Sequence, residues 1–379
     1  MLEPIREPIL QFGTSRFLQA HIDLFVSEAL DAGHALGGIT VVQTTANPAS
    51  AARVTALASG DGYPVRIRGL QNGAPVDHTM TCRAVQRALQ ADADWQQLRE
   101  LMATHVQVVV SNTADQGYQL DPRDDARLLQ APSQVPRSFP AKLVVLLHGR
   151  WLRKPQAPLS LFPCELIERN GDTLCATVCA LAVQWALPAA FVDWLRTHCV
   201  WANSLVDRIV SEALHPVGAV AEPYALWAIE RRPRLVLPCT HPAIVLTDEL
   251  EHHERLKLFL LNAGHTFLAE RWREDALPAD LTVAQAMEHA HLRPELEALW
   301  HEEIVPVFTA LGKHDAAEAY LVSLRERLQN PYLAHRLADI AQNHAQKKQR
   351  RLAPIVALTR QLGLNIAQPR LDAALAHPN

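Results

Sequence analysis

Along the first two thirds of the chain, short apolar runs alternate with stretches in which apolar positions recur at helical spacing. Residues 8–12 (PILQF) are apolar and stop at Gly13, and the amphipathic stretch 17–32 follows, which predicts a strand, a turn and a helix. GGITVVQTT reads as a second strand, 49–58 as a helix, and YPVRIRGLQNGAPVDHTMTCRAVQ as a hairpin turning at Asn72-Gly73. A helix over 95–103 leads into HVQVVVSNTAD, a β-branched run closing on small polar residues. Strands are predicted at 142–147 and 159–161, and a helix at 174–185. This alternation predicts an α/β fold with a mostly parallel, doubly wound sheet. From about Pro238–Pro242 onward helical runs dominate, with no strand after Val245, so two domains are expected: 1–240, Rossmann-like, and 241–379, all-helical.

Composition narrows the partners. A length of 379 residues suits two domains, and 49% hydrophobic with 20% charged residues is globular. The net charge of -4 supplies no basic field for nucleic acid and no polybasic face for a membrane, which leaves a small-molecule ligand. Six cysteines (Cys82, Cys164, Cys175, Cys179, Cys199, Cys239) form no CxxC pair and read as reduced. The opening MLEPIREPILQFG holds no apolar run of signal-peptide length. A cytoplasmic enzyme, monomeric or a small homo-oligomer, is expected.

A strand that ends in a glycine turn and feeds a helix presents backbone N–H groups to a pyrophosphate. QFGTSRFLQAH has that form, with Gly13 at the first glycine, Ser15 where a second is usual and Ala20 as the small packing residue. The pattern also fits a plain strand–helix turn. The candidate cofactor residues are Gly13, Thr14, Ser15, Arg16 and Phe17, with Gln43 and Thr44 after the second strand and Ser111, Asn112 and Thr113 ending VVVSNT. No Asp or Glu closes VVQTT, so the usual carboxylate for an adenosine ribose is missing, and NAD is expected with NADP left open.

The densest chemistry lies in HHERLKLFLLNAGHTFLAE. On an α-helix Glu254, Lys257, Asn262 and His265 project at roughly 60°, 0°, 140° and 80° from Lys257. The remaining positions are apolar nearly all round, which marks the helix as buried. Burial disfavours a charged amine and so turns a lysine into a general base, while an amide and an imidazole can hold the alkoxide oxygen. The same spacing also fits a lysine snorkelling from a core helix.

Lys257, Asn262 and His265 (K-x4-N-x2-H) resemble the signature of the polyol-specific long-chain dehydrogenase family, which includes mannitol dehydrogenases and hexuronate reductases. FGTSRFLQAH, VVSNTADQGY, NSLVDRIV and RLQNPYLAHRLADIA resemble its other blocks, from about residue 8 to residue 355. The resemblance implies a metal-independent NAD(P)-dependent oxidoreductase. It makes Lys257 the general base, has Asn262 and His265 position the reacting oxygen, and leaves Glu254 to relay the proton. Asp207 matches the family aspartate near the active site, although pairing with Arg208 would equally explain it.

The substrate is narrowed by one departure. Mannitol dehydrogenases have a Cys-Asp-Asn block whose asparagine joins the oxyanion site; here the chain reads Pro163-Cys164-Glu165-Leu166-Ile167, and Leu166 cannot donate that bond. PCELIERNG and NPYLAHRLADIAQNHAQKKQRRLAP look more like the tagaturonate (altronate) reductase branch, which adds Glu165, His335, Asn343, Lys347 and Arg351 as substrate residues. A hexuronate carboxylate would suit Lys347 or Arg351, though KKQRR also reads as a solvated helix face. Mannitol- or arabinitol-type and mannonate/fructuronate oxidoreductases are the nearest alternatives. A metal-dependent sugar-acid dehydratase using His252 and His253 and a non-catalytic sugar-acid sensor are the alternatives of other classes. Adjacent histidines diverge by about 100° on a helix, which argues against the first.

Overall fold

The computed structural model describes residues 7–45, 48–113 and 117–377. Ala114, Asp115 and Gln116 of VVSNTADQGY lie outside them, as do the first six residues of the opening segment. By contact the chain divides into two units.

The first unit gathers the residues up to Arg66, His78–Ala221 and Ala225–Leu250. In it β1 (Ile9–Phe12) and β2 (Ile39–Gln43) are buried along their whole length, as parallel strands covered on both faces must be. Between them run α1 (Arg16–Gln19) and α2 (Ile22–Asp31), and after them α3 (Pro48–Ala58). The hairpin β3 (Tyr63–Gln71) and β4 (Ala74–Cys82) turns at Asn72 and Gly73, whose φ of 54° and 75° are the two left-handed residues a type I′ turn requires. Then follow β5 (Val85–Gln90), α4 (Trp95–Thr104), β6 (Val108–Ser111), α5 (Phe139–Arg153), β7 (Leu159–Pro163), α6 (Asn170–Gln184), α7 (Ala189–Thr197) and β8 (Cys199–Trp201). The main sheet runs β5-β2-β1-β6-β7-β8 with all neighbours parallel. Strand order reverses between β1 and β6, the place where open α/β sheets hold their ligand. Phe12, Trp95, Val109, Leu161 and Trp201 belong to the core packed against this sheet.

Two local readings are corrected. Residues 142–147 are not a strand but the middle of α5; Ser138 and Pro140 start a helix there, and a fully buried LVVLL run carries no period that separates helix from strand. The stretch 17–32 is two helices, not one. Its break at Ala20-His21 frees carbonyls that outside donors satisfy: Arg208 Nη1 donates to Ala20 O at 2.6 Å and the Tyr63 hydroxyl to Gln19 O at 3.3 Å.

The strands β9 (Ser204–Asp207), β10 (Val210–Ala213), β11 (Ala219–Ala221), β12 (Leu226–Glu230) and β13 (Ile244–Thr247) form two smaller sheets, β10-β11-β3-β4 and β13-β12-β9.

The second unit is helical and comprises Glu251 onward together with the hairpin tip Ile67–Asp77 and Glu222–Tyr224. It starts within α8 (Leu250–Leu256), passes through a π-helical turn Lys257–Asn262 into α9 (Ala263–Glu274), then α10 (Val283–Ala286) and α11 (Leu292–Ala298). A second π-turn, Leu299–Ile304, precedes α12 (Val305–Ala310), α13 (His314–Leu328), α14 (Leu337–Ile340), α15 (His344–Arg351), α16 (Ala353–Gln361) and α17 (Pro369–Ala376). The hairpin tip and Glu222–Tyr224 join the helices through the RLQNP motif. Arg327 forms a buried ion pair with Glu222 at 2.9 Å and lies 4.1 Å over the Tyr224 ring, and Asn330 donates to Arg68 O at 3.2 Å. Among the described residues no helix is long and apolar enough to cross a membrane.

Candidate active site

In the first unit the predicted cofactor residues gather at the carboxyl edge of β1, β2 and β6. Gly13 has φ +121°, and a Cβ there would lie 2.7 Å from Asn112 O across the β1/β6 reversal, so only glycine fits and the turn stays bare. Ser15 caps α1, its hydroxyl accepting from Leu18 N at 3.3 Å. Thr14 O accepts from Gln19 Nε2 at 3.0 Å and from Arg53 Nη1 at 3.3 Å. Arg16 is exposed and Phe17 half-buried against the His21 ring. Gln43 is buried with its amide turned onto Thr45 O, and Thr44 borders a cavity. These residues suit a dinucleotide: a glycine turn at the sheet's reversal point leads into a helix, with no Cβ in the way.

Glu165, expected among the substrate residues, is buried among internal partners. Its carboxylate is 4% exposed and accepts from Ser111 Oγ (3.1 Å), Thr113 N (3.0 Å), Thr113 Oγ1 (2.9 Å) and the Tyr118 hydroxyl (3.2 Å). It therefore clamps the loop after β6 to the end of β7. Asn112 adds a bond from Nδ2 to Cys164 O at 3.1 Å. Burial, then the charge of Glu165, push the Tyr118 phenol well above its usual range, so it stays a donor. Asn170 completes the clamp, its two amide N–H groups shared among Pro163 O, Glu165 O and Ser204 O at 2.9, 3.2 and 2.9 Å. Leu166 beside it is 75% exposed. Asp207 is buried at the end of β9, opposite Leu226 of β12.

In the helical unit the candidate K-x4-N-x2-H motif sits on the π-turn. Lys257 opens it and Asn262 closes it; both are half-buried, and His265 is buried one turn into α9. A π-turn bonds i to i+5, so residues five apart stand roughly one full turn apart and share a face. That geometry reduces the angle of about 140° that an α-helix would put between Lys257 and Asn262. The second π-turn holds the first: the fully buried Trp300 donates its indole N–H to Leu260 O at 3.2 Å, and a Cβ on Gly264 would come within 3.2 Å of the same ring. Glu254 lies three residues before Lys257 on α8.

A second group faces His265. The His335 ring lies edge-on to it at 5.0 Å. Lys347 and Arg351, one turn apart on α15, press the His335 pKa down after burial, the first cause, with Asp339 opposing. Burial, then Arg351, pull Lys347 below the usual ammonium range, and burial lowers Arg351 too. Arg351 reaches Thr266 Oγ1 at 3.3 Å and Lys347 reaches Ile340 O at 2.7 Å, but among the described residues no carboxylate pairs with either cation. KKQRR is thus not one solvated face: Lys348 is buried on Glu270 at 3.2 Å and Arg350 is exposed. Asn343, in left-handed conformation (φ 54°), is exposed at the start of α15.

Sequence reasoning did not single out Tyr118, Arg53, Thr266 and Trp300, which bond to residues of the candidate site or its π-turn. Arg53 is findable as the first charged residue after β2; no local signal marks the others.

Residues 7–236 match the family described as "Mannitol dehydrogenase Rossmann domain" and 249–376 match "Mannitol dehydrogenase C-terminal domain". An altronate oxidoreductase of Halalkalibacterium halodurans is 32% identical over 372 residues, 92% of this chain and 70% of that protein. Among solved structures, a substrate-free D-sorbitol dehydrogenase superposes with TM-score 0.79 at 18% identity, covering 98% of this chain and 80% of that one. A mannitol 2-dehydrogenase of Pseudomonas fluorescens, in ternary complex with NAD and D-mannitol, gives 0.73 at 17% identity, with 99% and 80% covered.

Proposed function

This chain belongs to the mannitol dehydrogenase family and is a dehydrogenase acting on a CH–OH group of a sugar acid or polyol with NAD, and from that premise we propose that its substrate is a hexuronate-derived acid of the altronate/tagaturonate kind. What carries the reading is the Lys347–Arg351 pair beside His335 and His265: two partly buried cations without a carboxylate among the described residues. A neutral polyol leaves that charge uncompensated, whereas a sugar-acid carboxylate neutralises it.

The division of labour follows the two domains, 1–240 for the cofactor and 241–379 for catalysis. Gly13 to Phe17, with Ser111 to Thr113, hold the dinucleotide at the sheet edge. The nicotinamide, when bound, supplies the hydride acceptor. Lys257 takes the proton of the substrate hydroxyl, Glu254 passes it to solvent, and the Asn262 amide and His265 imidazole steady the developing alkoxide. Lys347 and Arg351 grip the carboxylate, and His335, kept neutral by its setting, donates to or accepts from a substrate hydroxyl. Nothing in these roles needs a metal.

The test is a panel of altronate, mannonate, mannitol and arabinitol followed by reduced-cofactor absorbance, with and without chelator. Altronate should lead and chelator should change nothing; a neutral polyol turned over faster than every acid overturns the substrate. Lys257→Met should lower kcat by about a hundredfold or more with NADH affinity nearly unchanged. An active Lys257→Met enzyme at neutral pH removes the lysine from its role.

A further inference from the structure

Three cations lie near the carboxyl end of β2. β2 ends in Gln43, Thr44 and Thr45, and the first charged residue beyond it is Arg53, whose Nη1 reaches Thr14 Oγ1 of the nucleotide turn at 3.4 Å. Beside the end of β2 opens a cavity of about 360 Å³, lined among others by Thr44, Thr45, Arg137, Ser138 and Lys142. Lys142 is 3% exposed; its ammonium donates to Arg137 O at 2.9 Å, and burial lowers its pKa, opposed by Asp124 and Asp92. Asp124 is itself engaged, accepting from Arg137 N, Ser138 N and Ser138 Oγ at the start of α5. The carboxylate on the cavity wall, Asp121, is held by Arg123 through two bonds of 2.8 and 2.6 Å. A buried ammonium and an exposed guanidinium therefore line this space, and among its described lining residues the one carboxylate, Asp121, is already engaged by Arg123.

In a sheet of this order the residue ending the second strand meets the adenosine ribose: an acid there selects the 2′-hydroxyl of NAD, and a nearby arginine admits the 2′-phosphate of NADP. Here the acid is missing and the cations are present. We infer that this cavity receives the adenosine 2′-phosphate, with Lys142 and Arg137 as its counter-charges, so that the enzyme works with NADP(H) as well as NAD(H). The inference rests on the dinucleotide reading of the same edge.

Calorimetric binding to the full chain tests it with 5′-AMP and 2′,5′-ADP, which differ only in the 2′-phosphate, alongside NADH and NADPH. The 2′,5′-ADP should bind about tenfold or more tightly than 5′-AMP, as one or two charge-assisted bonds provide. NADPH should bind at least as tightly as NADH. Arg137→Ser, an exposed change that spares the fold, should cut 2′,5′-ADP and NADPH affinity about fivefold or more while leaving 5′-AMP and NADH within twofold. Lys142→Met should abolish the preference; its melting temperature is measured alongside, and Arg137→Ser decides if it unfolds. Equal binding of the two nucleotides with NADH still bound overturns the 2′-phosphate site alone. Failure of NADH itself to bind overturns the dinucleotide reading and this inference with it.

Discussion

Replacing Arg351 by Met removes one of the two cations proposed to hold a substrate carboxylate while keeping most of its buried length. Three consequences follow from its surroundings. A carboxylate held by a guanidinium gains about 1.5–3 kcal/mol from charge-assisted bonds, so kcat/KM for altronate should fall about ten- to a hundredfold, chiefly through KM. The neutral polyol of the same carbon skeleton never had that contact and should change less than about threefold. Arg351 also depresses Lys347, second to burial, so in the variant Lys347 keeps its proton to higher pH. The alkaline rise in KM for the acid, which marks loss of that proton, should then move upward. Loss of the 3.3 Å bond to Thr266 Oγ1 costs about 1 kcal/mol at most, so melting should shift by only a few degrees. Initial rates with altronate and altritol over pH 6–10, wild type against variant, give all of these at once. If both substrates lose rate equally, or the acid loses none, Arg351 is not a carboxylate partner.

Two further perturbations probe the first unit. Gly13→Ala forces a Cβ to 2.7 Å from Asn112 O at φ +121° and should cost about 1–3 kcal/mol of stability together with at least tenfold in NADH affinity; melting and fluorescence titration check both, and unaltered NADH binding would put the cofactor elsewhere. Asp23, 1% exposed and bonded to the Tyr63 hydroxyl at 2.8 Å, is raised by burial to about 7 against an ordinary value of 3.8. The folded state thus holds a proton that the unfolded chain gives up, so this contribution is complete below about pH 4 and lost as pH rises to about 7. The stability of wild type relative to Asp23→Asn should decline by about 1.4 kcal/mol per pH unit across that window and flatten above it; a difference independent of pH would mean that Asp23 is ionised in the fold.

The parallel sheet was legible because uniformly apolar runs such as ITVV and VVV have one economical use, burial between two helical layers. Asn72-Gly73 announced its own turn. Residues 142–147 were misread because a strand and a helix buried on all sides look alike in hydrophobicity, and the deciding residues, Ser138 and Pro140, stand outside the run. Motif residues divided by environment. Gly13 is fixed by a close backbone approach, whereas Arg327, Asn330 and Glu165 in equally conspicuous blocks are saturated with internal partners and hold the scaffold. Nothing local separates such a clamp from a ligand contact, because the partners of Glu165 lie about fifty residues away in sequence and only the fold brings them in.

The π-turn shows that a spacing can contain its own geometry. Lys257 and Asn262 are five apart, which an α-helix would splay by about 140°, while Asn262 and His265 are three apart, which an α-helix keeps together. An i→i+5 turn followed by an α-helix brings the three positions of K-x4-N-x2-H closer to one face than a regular helix would, and that is the backbone found at Lys257–Asn262 and Ala263–Glu274. A π-turn is costly unless its displaced carbonyls find donors, and here the donor is the Trp300 indole on a second π-turn, with Gly264 giving the ring room. The K-x4-N-x2-H spacing, the glycine beside it and a tryptophan some forty residues on therefore belong together: the indole bonds a carbonyl of the π-turn and the glycine leaves room for its ring.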